Sequence, residues 1–147
     1  MTGLSDLRVL VVDDEPFMRA TIRQMLRNLR VAFAEEAGDG QSALDLIAVF
    51  KPDLILCDIG MKPMGGLEFV QRLRRHADAT LRETSVVMLT VMNGEKVVKE
   101  AARLRLSGYL VKPISTAQLG ARLQSALAQM AASAKAAASV PNQTSTR

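Results

Sequence analysis

Hydrophobic and polar positions in this 147-residue chain follow two alternating rhythms. Short apolar runs alternate with longer stretches in which apolar residues recur every three or four positions. The runs are Arg8-Val9-Leu10-Val11-Val12, Val31-Ala32-Phe33-Ala34-Glu35, Asp53-Leu54-Ile55-Leu56-Cys57-Asp58, Ser85-Val86-Val87-Met88-Leu89-Thr90 and Tyr109-Leu110-Val111-Lys112. Their β-branched content and their bounding Pro, Gly and acidic residues predict five strands. The uninterrupted runs suit strands buried on both faces. The second run turns polar at its end, which suits a sheet edge.

The stretches between have helical spacing. Met18, Ile22, Met25, Leu26 and Leu29 form a stripe on a helix ending near Leu29, while Arg19, Arg23, Arg27 and Arg30 form another face, read as solvated. Pro16 suits its first turn. After the Gly38-Asp39-Gly40 turn, a helix over about residues 41–50 points Ala43, Leu44, Ile47 and Phe50 inward. Another covers Leu67 to about His76, with Leu67, Val70 and Leu73 as core positions. Asn93 caps a helix over about Glu95 to Leu106 whose apolar face is weak. Ser115-Thr116-Ala117-Gln118 resembles a capping box, and the last helix carries Leu119, Leu123, Leu127 and Met130 inward. From Ala132 the composition shifts to Ala, Ser, Thr and Pro. The expected organisation is a short lead-in over residues 1–6, one domain over 7–131 and a largely disordered tail over 132–147. Residues 131–138 could prolong the helix by a turn or two.

Strict alternation of strand and helix predicts an α/β fold with a parallel sheet covered on both sides. In such a sheet the residues ending each strand collect at one edge, where open α/β folds hold their ligands. Those residues are Asp13 and Asp14, Asp58, Thr90 and Lys112. Gathering the first two with Asp58 requires strands one and three to be neighbours, as in the flavodoxin-like order 2-1-3-4-5. Three carboxylates so close cannot all stay ionised without compensation. A hard divalent cation with oxygen ligands supplies it, and Mg²⁺ is suited to a few carboxylates, carbonyls and waters. Lys112 adds a second positive charge and Thr90 a hydroxyl. Together they form a site for a phosphoryl group on Asp58. Taken alone, Asp13-Asp14-Glu15 would read as an acidic helix start beside the positive end of the dipole.

Composition narrows the remaining classes. The one cysteine, Cys57, excludes an internal disulfide or a cysteine-cluster zinc site and reads as a buried hydrophobe. His76 is the only histidine and has no partner with which to complete a metal site. The net charge of +4 is spread along helices without interleaved aromatics, so no nucleic-acid partner is expected. No apolar run reaches the roughly 18 residues of a membrane span, and the N-terminus lacks a signal peptide's layout, so a soluble cytoplasmic chain with no membrane partner is expected.

The stretches Val11-Val12-Asp13-Asp14-Glu15-Pro16, Asp58-Ile59-Gly60-Met61 through Gly66, Met88-Leu89-Thr90 and Gly108-Tyr109-Leu110-Val111-Lys112-Pro113 resemble the response-regulator receiver domains of two-component signalling. The resemblance covers about residues 7–131. It implies a doubly wound (βα)5 sheet in the order 2-1-3-4-5, and a non-enzymatic phospho-acceptor with at most slow self-dephosphorylation. Asp58 would accept the phosphoryl group. Asp14, Asp58 and the backbone carbonyl of Gly60 would ligate Mg²⁺ (or Mn²⁺), with Asp13 acting through water. Lys112 would pair with the phosphoryl group, Thr90 would move toward it, and Tyr109 would turn inward, altering the face formed by the fourth helix, fifth strand and fifth helix. The Lys112–Pro113 bond would be cis. The implied partners are a sensor histidine kinase or a histidine phosphotransfer protein, docking near Met18 to Arg23, and a downstream protein. The chain would be a monomer or a phosphorylation-dependent dimer. With about 16 residues after the last helix and no output domain in them, a stand-alone regulator is expected.

The chain departs from the family pattern in three places. Lys62 stands where proline usually follows Met61. Val91 replaces a small residue after Thr90 and could narrow access to Asp58. Gly60 and Met92 occupy positions that tune dephosphorylation, and Gly60 has no side chain to orient water. Val91 leans toward an alternative, a receiver-like interaction module that is not phosphorylated. A flavodoxin-like cofactor binder would need a phosphate cradle where Asp13 and Asp14 would repel phosphate. An aspartate-nucleophile phosphatase would usually carry a second Asp where Gly60 stands.

Overall fold

The structure, a computed structural model, describes residues 3–91, 99–100 and 102–144, with side chains as far as Ala136. After a 3-10 turn at Leu4–Asp6 come β1 (Arg8–Val12), α1 (Pro16–Asn28), β2 (Phe33–Ala37), α2 (Gly40–Phe50), β3 (Leu54–Asp58), α3 (Gly66–Leu73), the single turn α4 (Ala79–Arg82), β4 (Ser85–Thr90), β5 (Gly108–Val111) and α5 (Thr116–Thr144). The five strands form one parallel sheet in the order β2-β1-β3-β4-β5. The doubly wound architecture expected from the strand–helix alternation is present.

Alternation along the strands divides the core in two. Leu10, Val12, Ile55, Cys57, Val86 and Met88 face Ala43 and Ile47 of α2 and Phe69, Val70 and Leu73 of α3. Val9, Val11, Leu54, Leu56, Val87 and Leu89 face Ile22 and Leu26 of α1 and Leu119, Leu123, Ala126 and Leu127 of α5. Every residue of β3 is buried. Each fully buried Leu, Ile or Val contributes about 1.5–3 kcal/mol, so the central strand is the most firmly held part of the sheet.

Four details differ from the sequence reading. β2 begins at Phe33, two residues later than expected. Arg30 takes a left-handed φ of 65° and closes α1 in a Schellman turn: its N–H bonds Arg27 O at 2.9 Å and the Val31 N–H bonds Leu26 O at 2.9 Å. Val31 is therefore buried as the apolar plug of that turn before the chain extends. The turn α4, capped by Asp78 on the Thr80 N–H at 2.8 Å, was not anticipated. Phe69, fully buried on α3, joins the core residues expected there. Finally, α5 continues to Thr144 where a largely disordered tail was expected. Alanine has the highest helix propensity, and the stretch 131–139 is alanine-rich, so the helix persists although residues 131–136 are exposed. Residues 99, 100, 102 and 103 are helical, whereas Asn93 and most of the first half of the helix expected there lie outside the described residues.

At the amino edge of the sheet Arg8, Asp53 and Phe50 pair with one another. Arg8 N–H donates to Asp53 Oδ2 at 2.9 Å, and Asp53 N–H returns a bond to Arg8 O at 2.8 Å. The Arg8 guanidinium donates to Phe50 O at 2.7 and 3.0 Å and lies 4.4 Å from the Phe50 ring centre. This clamp joins β1, α2 and β3 at the end remote from Asp58.

Candidate functional site

The carboxyl edge is built by strand ends. Val12 pairs with Cys57, and Asp58 pairs with Leu89, so β1, β3 and β4 finish nearly level. Asp13, immediately after β1, donates its N–H to Ala37 O at 3.2 Å. Ile59 N–H donates to Leu89 O at 2.9 Å, and Lys112 N–H to Thr90 O at 2.7 Å. These bonds fix where the side chains of Asp13, Asp58 and Lys112 leave the sheet.

Carboxylate oxygens of Asp13, Asp14 and Asp58 lie within 4.8 Å of one another. Lys112 Nζ is 2.8 Å from Asp58 Oδ1 and 3.5 Å from Asp13 Oδ2. The first is a charge-assisted hydrogen bond; the second is an ion pair of poorer geometry. Asp13 is fully buried, Asp58 is 8% exposed, Thr90 is buried, and Asp14 is exposed. One face of this ring is therefore wet and the other is dry.

The electrostatics follow. Burial pushes the Asp13 carboxyl above its ordinary value; the Glu15 N–H, 2.9 Å from Oδ1, opposes this and the charge of Asp58 adds to it. Burial alone would lower Lys112, but its hydrogen bond and charge pairing with Asp58, helped by Asp13, outweigh this, and its pKa is raised. Three carboxylates thus face one ammonium. Asp13 Oδ2 is buried without a hydrogen-bond partner among the described residues. Buried acceptors are rarely left so, and one beside two further carboxylates suits a hard divalent cation. The donor set fits Mg²⁺ or Mn²⁺.

Glycines shape the approach. A Cβ on Gly66 would collide with the Asp58 carbonyl oxygen and would come 2.8 Å from Met88 Cε, so only glycine lets α3 start this close to the end of β3. A Cβ on Gly60 would meet Asp58 Oδ2 at 3.7 Å, an ordinary contact. Position 60 therefore lies directly against the carboxylate.

Of the other residues singled out, Tyr109 is half-buried, pairs with Met88 in the sheet and packs on the α2–α3 side of the core. It stands apart from the carboxylate ring. Val91 is 72% exposed. Met92 lies outside the described residues. Lys112–Pro113 is a cis bond, as is Lys62–Pro63, which the sequence reading did not single out. His76 accepts from the Asp78 N–H at 3.0 Å and takes no part in the ring.

One supporting residue escaped sequence reasoning. Arg19 was assigned to a solvated face, yet its guanidinium donates to Asp13 O at 2.6 Å and to Glu36 Oε1 at 2.8 Å. Arg23 bonds the other oxygen of Glu36 at 2.9 Å. Arg19 thus ties the backbone of Asp13 to β2. The adjacent acids Glu35 and Glu36 in an edge strand were the available signal.

Comparison with known proteins agrees with this geometry. The sequence profile of the response regulator receiver domain matches residues 9–124. Protein CcdB of Bacillus subtilis is 37% identical over 106 residues, covering 72% of this chain and 85% of that protein. Chemotaxis protein CheY-3 of Vibrio cholerae is 32% identical over 118 residues, covering 80% of this chain and 89% of that protein. The crystal structure of Vibrio cholerae chemotaxis protein CheY4 superposes with a TM-score of 0.74 at 30% identity, over 80% of this chain and 96% of that one. With the sheet order, the acidic strand ends and the facing lysine in agreement, the chain belongs to the response regulator receiver domain family.

Proposed function

We propose that this chain accepts a phosphoryl group on Asp58 from a phosphohistidine of a sensor kinase or a phosphotransfer protein. A carboxylate oxygen of Asp58 forms the new P–O bond as the P–N bond to imidazole breaks. The bond's electron pair leaves with the imidazole nitrogen, and the product is an acyl phosphate. The observation that carries this reading is the ring of Asp13, Asp14 and Asp58 with Lys112 Nζ at 2.8 Å from Asp58.

Asp14, Asp58 and the carbonyl of Gly60 would hold Mg²⁺ directly, with Asp13 acting through water. Bound there, the cation would offset charge on the transferring phosphoryl oxygens. Lys112 holds Asp58 in place and offers its ammonium to the incoming group. Thr90, at the end of the neighbouring strand, supplies the hydroxyl that responds to it. The output is a change on the face shared by β5, α5 and the segment before β5, with Tyr109 moving, read by a downstream protein. In this reading the protein is cytoplasmic, acts as a signal acceptor with at most slow self-dephosphorylation, and is a monomer or a phosphorylation-dependent dimer. Val91 is exposed, and the full acidic set with Lys112 supports this reading over an unphosphorylated interaction module.

Intact-mass measurement after incubation with a small-molecule phosphodonor and Mg²⁺ tests this. A gain of one phosphoryl group that is absent in Asp58→Asn is expected. No gain with any donor or divalent cation would overturn the proposal.

A further inference from the structure

A second charged hollow lies away from the carboxylate ring. A cavity of about 390 Å³ is lined by Gln71, Arg74, Arg75, Arg103 and Leu104, where the end of α3 meets the segment leading into β5. Three of its five lining residues are arginines. Arg74 is half-buried and aims its guanidinium at four carbonyls: Leu104 O at 2.9 Å, Arg82 O at 2.9 Å, Thr84 O at 2.7 Å and Arg105 O at 3.2 Å. No carboxylate lies within ion-pair distance of it among the described residues. Its charge is met chiefly by backbone dipoles, with Glu83 acting on it from beyond ion-pair distance. Burial and the nearby Arg105 lower its pKa, and the charge of Glu83 opposes them only in part.

The other two arginines are available. The Arg75 guanidinium is exposed and has no partner among the described residues. Arg103 is 77% exposed in its side chain, and its contact with Glu100 is 3.6 Å long, which contributes little. Arginines at helix ends are favoured by the helix dipole, and this accounts for Arg72, which pairs with Glu68 at 2.9 Å. It does not account for three guanidiniums around one hollow, opposed only by the long Glu100 contact and the more distant Glu83. Planar guanidinium forks match the oxygens of phosphate groups, and guanidiniums without a close carboxylate partner attract such anions.

We propose that this hollow binds a small phosphate-bearing anion, of the size of pyrophosphate or a nucleotide, gripped by Arg75 and Arg103 over the fixed charge of Arg74. Such a ligand would bridge α3 and the segment that leads into β5, and so would be linked to the strand that precedes Lys112.

The test is a titration of the full chain with pyrophosphate, and in parallel with ADP, in metal-free buffer, followed by backbone amide shifts. Saturable shifts grouped at Gln71, Arg75, Arg103 and Leu104 are expected, with Kd of about 1 mM or tighter. Arg75→Gln with Arg103→Gln should weaken binding by about tenfold or more, as expected for lost charged hydrogen bonds, while Arg27→Gln should leave it unchanged. Arg74 is left intact because its carbonyl bonds hold the fold. Tighter binding of ADP would assign a nucleotide; equal binding would assign the phosphate group itself. Non-saturating shifts spread over all basic residues, or binding unaltered in the double variant, would overturn the proposal.

Discussion

β3 has an aspartate at each end, and the two meet opposite fates. Asp53, just before the strand, exchanges hydrogen bonds with the backbone of Arg8 at 2.9 and 2.8 Å, and the Arg8 side chain is itself spent on Phe50. Asp58, closing the strand, joins two other carboxylates around a single ammonium, and Asp13 Oδ2 beside it has no hydrogen-bond partner among the described residues. At the amino edge Arg8, Asp53 and Phe50 satisfy one another, whereas at the carboxyl edge an acceptor is left over among the described residues. Unsatisfied polarity, rather than acidity, marks the functional end. Glu36 makes the same point at the carboxyl edge itself, because Arg19 and Arg23 satisfy both of its oxygens.

Substitution can break this contrast. The largest expected effect is all-or-none: Asp58→Asn should abolish phosphoryl gain, whereas Asp53→Asn should retain it, both read by intact mass. Next, Asp13→Asn removes a carboxylate that the metal-free protein holds at a cost. Because burial raises its pKa, its charge costs the fold stability at neutral pH, and the near-isosteric amide should recover about 1 kcal/mol, so the metal-free melting temperature should rise by a few degrees. Added Mg²⁺ should then raise the melting temperature of the parent more than that of the variant. At the amino edge the sign reverses: Asp53→Ala should cost about 1 kcal/mol, measured by urea unfolding, because it strands the Arg8 N–H.

A smaller effect tests Glu36. The hydrogen bonds from Arg19 and Arg23 hold its carboxyl below the usual range. A depressed carboxyl stabilises the fold above its ordinary value, and that contribution fades as pH falls through the lowered one. The acid-side fall in melting temperature should therefore be shallower in Glu36→Gln, by a degree or so, since the pair is partly exposed. The smallest change in structure is at Gly60. Gly60→Gln should leave the melting temperature unchanged but alter the lifetime of phosphorylated Asp58 several-fold, followed by loss of the phosphoryl mass.

Much of the carboxyl edge was legible because its residues are read one strand end at a time. β1 and β4 match their expected bounds, and Asp13, Asp14, Asp58, Thr90 and Lys112 were all visible as polar residues ending apolar runs. The family likeness then supplied their roles and the strand order. Satisfaction was not legible, because it depends on distant partners. Arg19 and Arg23 formed a polar helix face whichever way they were used, and only the fold brings Glu36 beneath them. The start of β2 was hidden for a local reason: Val31 is apolar like a strand residue but serves the turn that ends α1. α4 is too short for any periodicity to announce it, although Asp78 was a recognisable cap.

Cys57 has a practical consequence. The chain's one thiol is wholly buried on β3, points to the α2–α3 side, and donates to the carbonyl of Asp58 at 3.4 Å. Burial, with the charges of Asp58 and Asp13, pushes its pKa far above the normal range for a thiol. An alkylating reagent can reach it only when the strand beneath the carboxylate ring opens. The rate of alkylation is therefore a built-in clock for that opening, and its slowing on addition of Mg²⁺ or phosphodonor would measure, without any introduced label, how far a ligand above the strand tightens the strand itself.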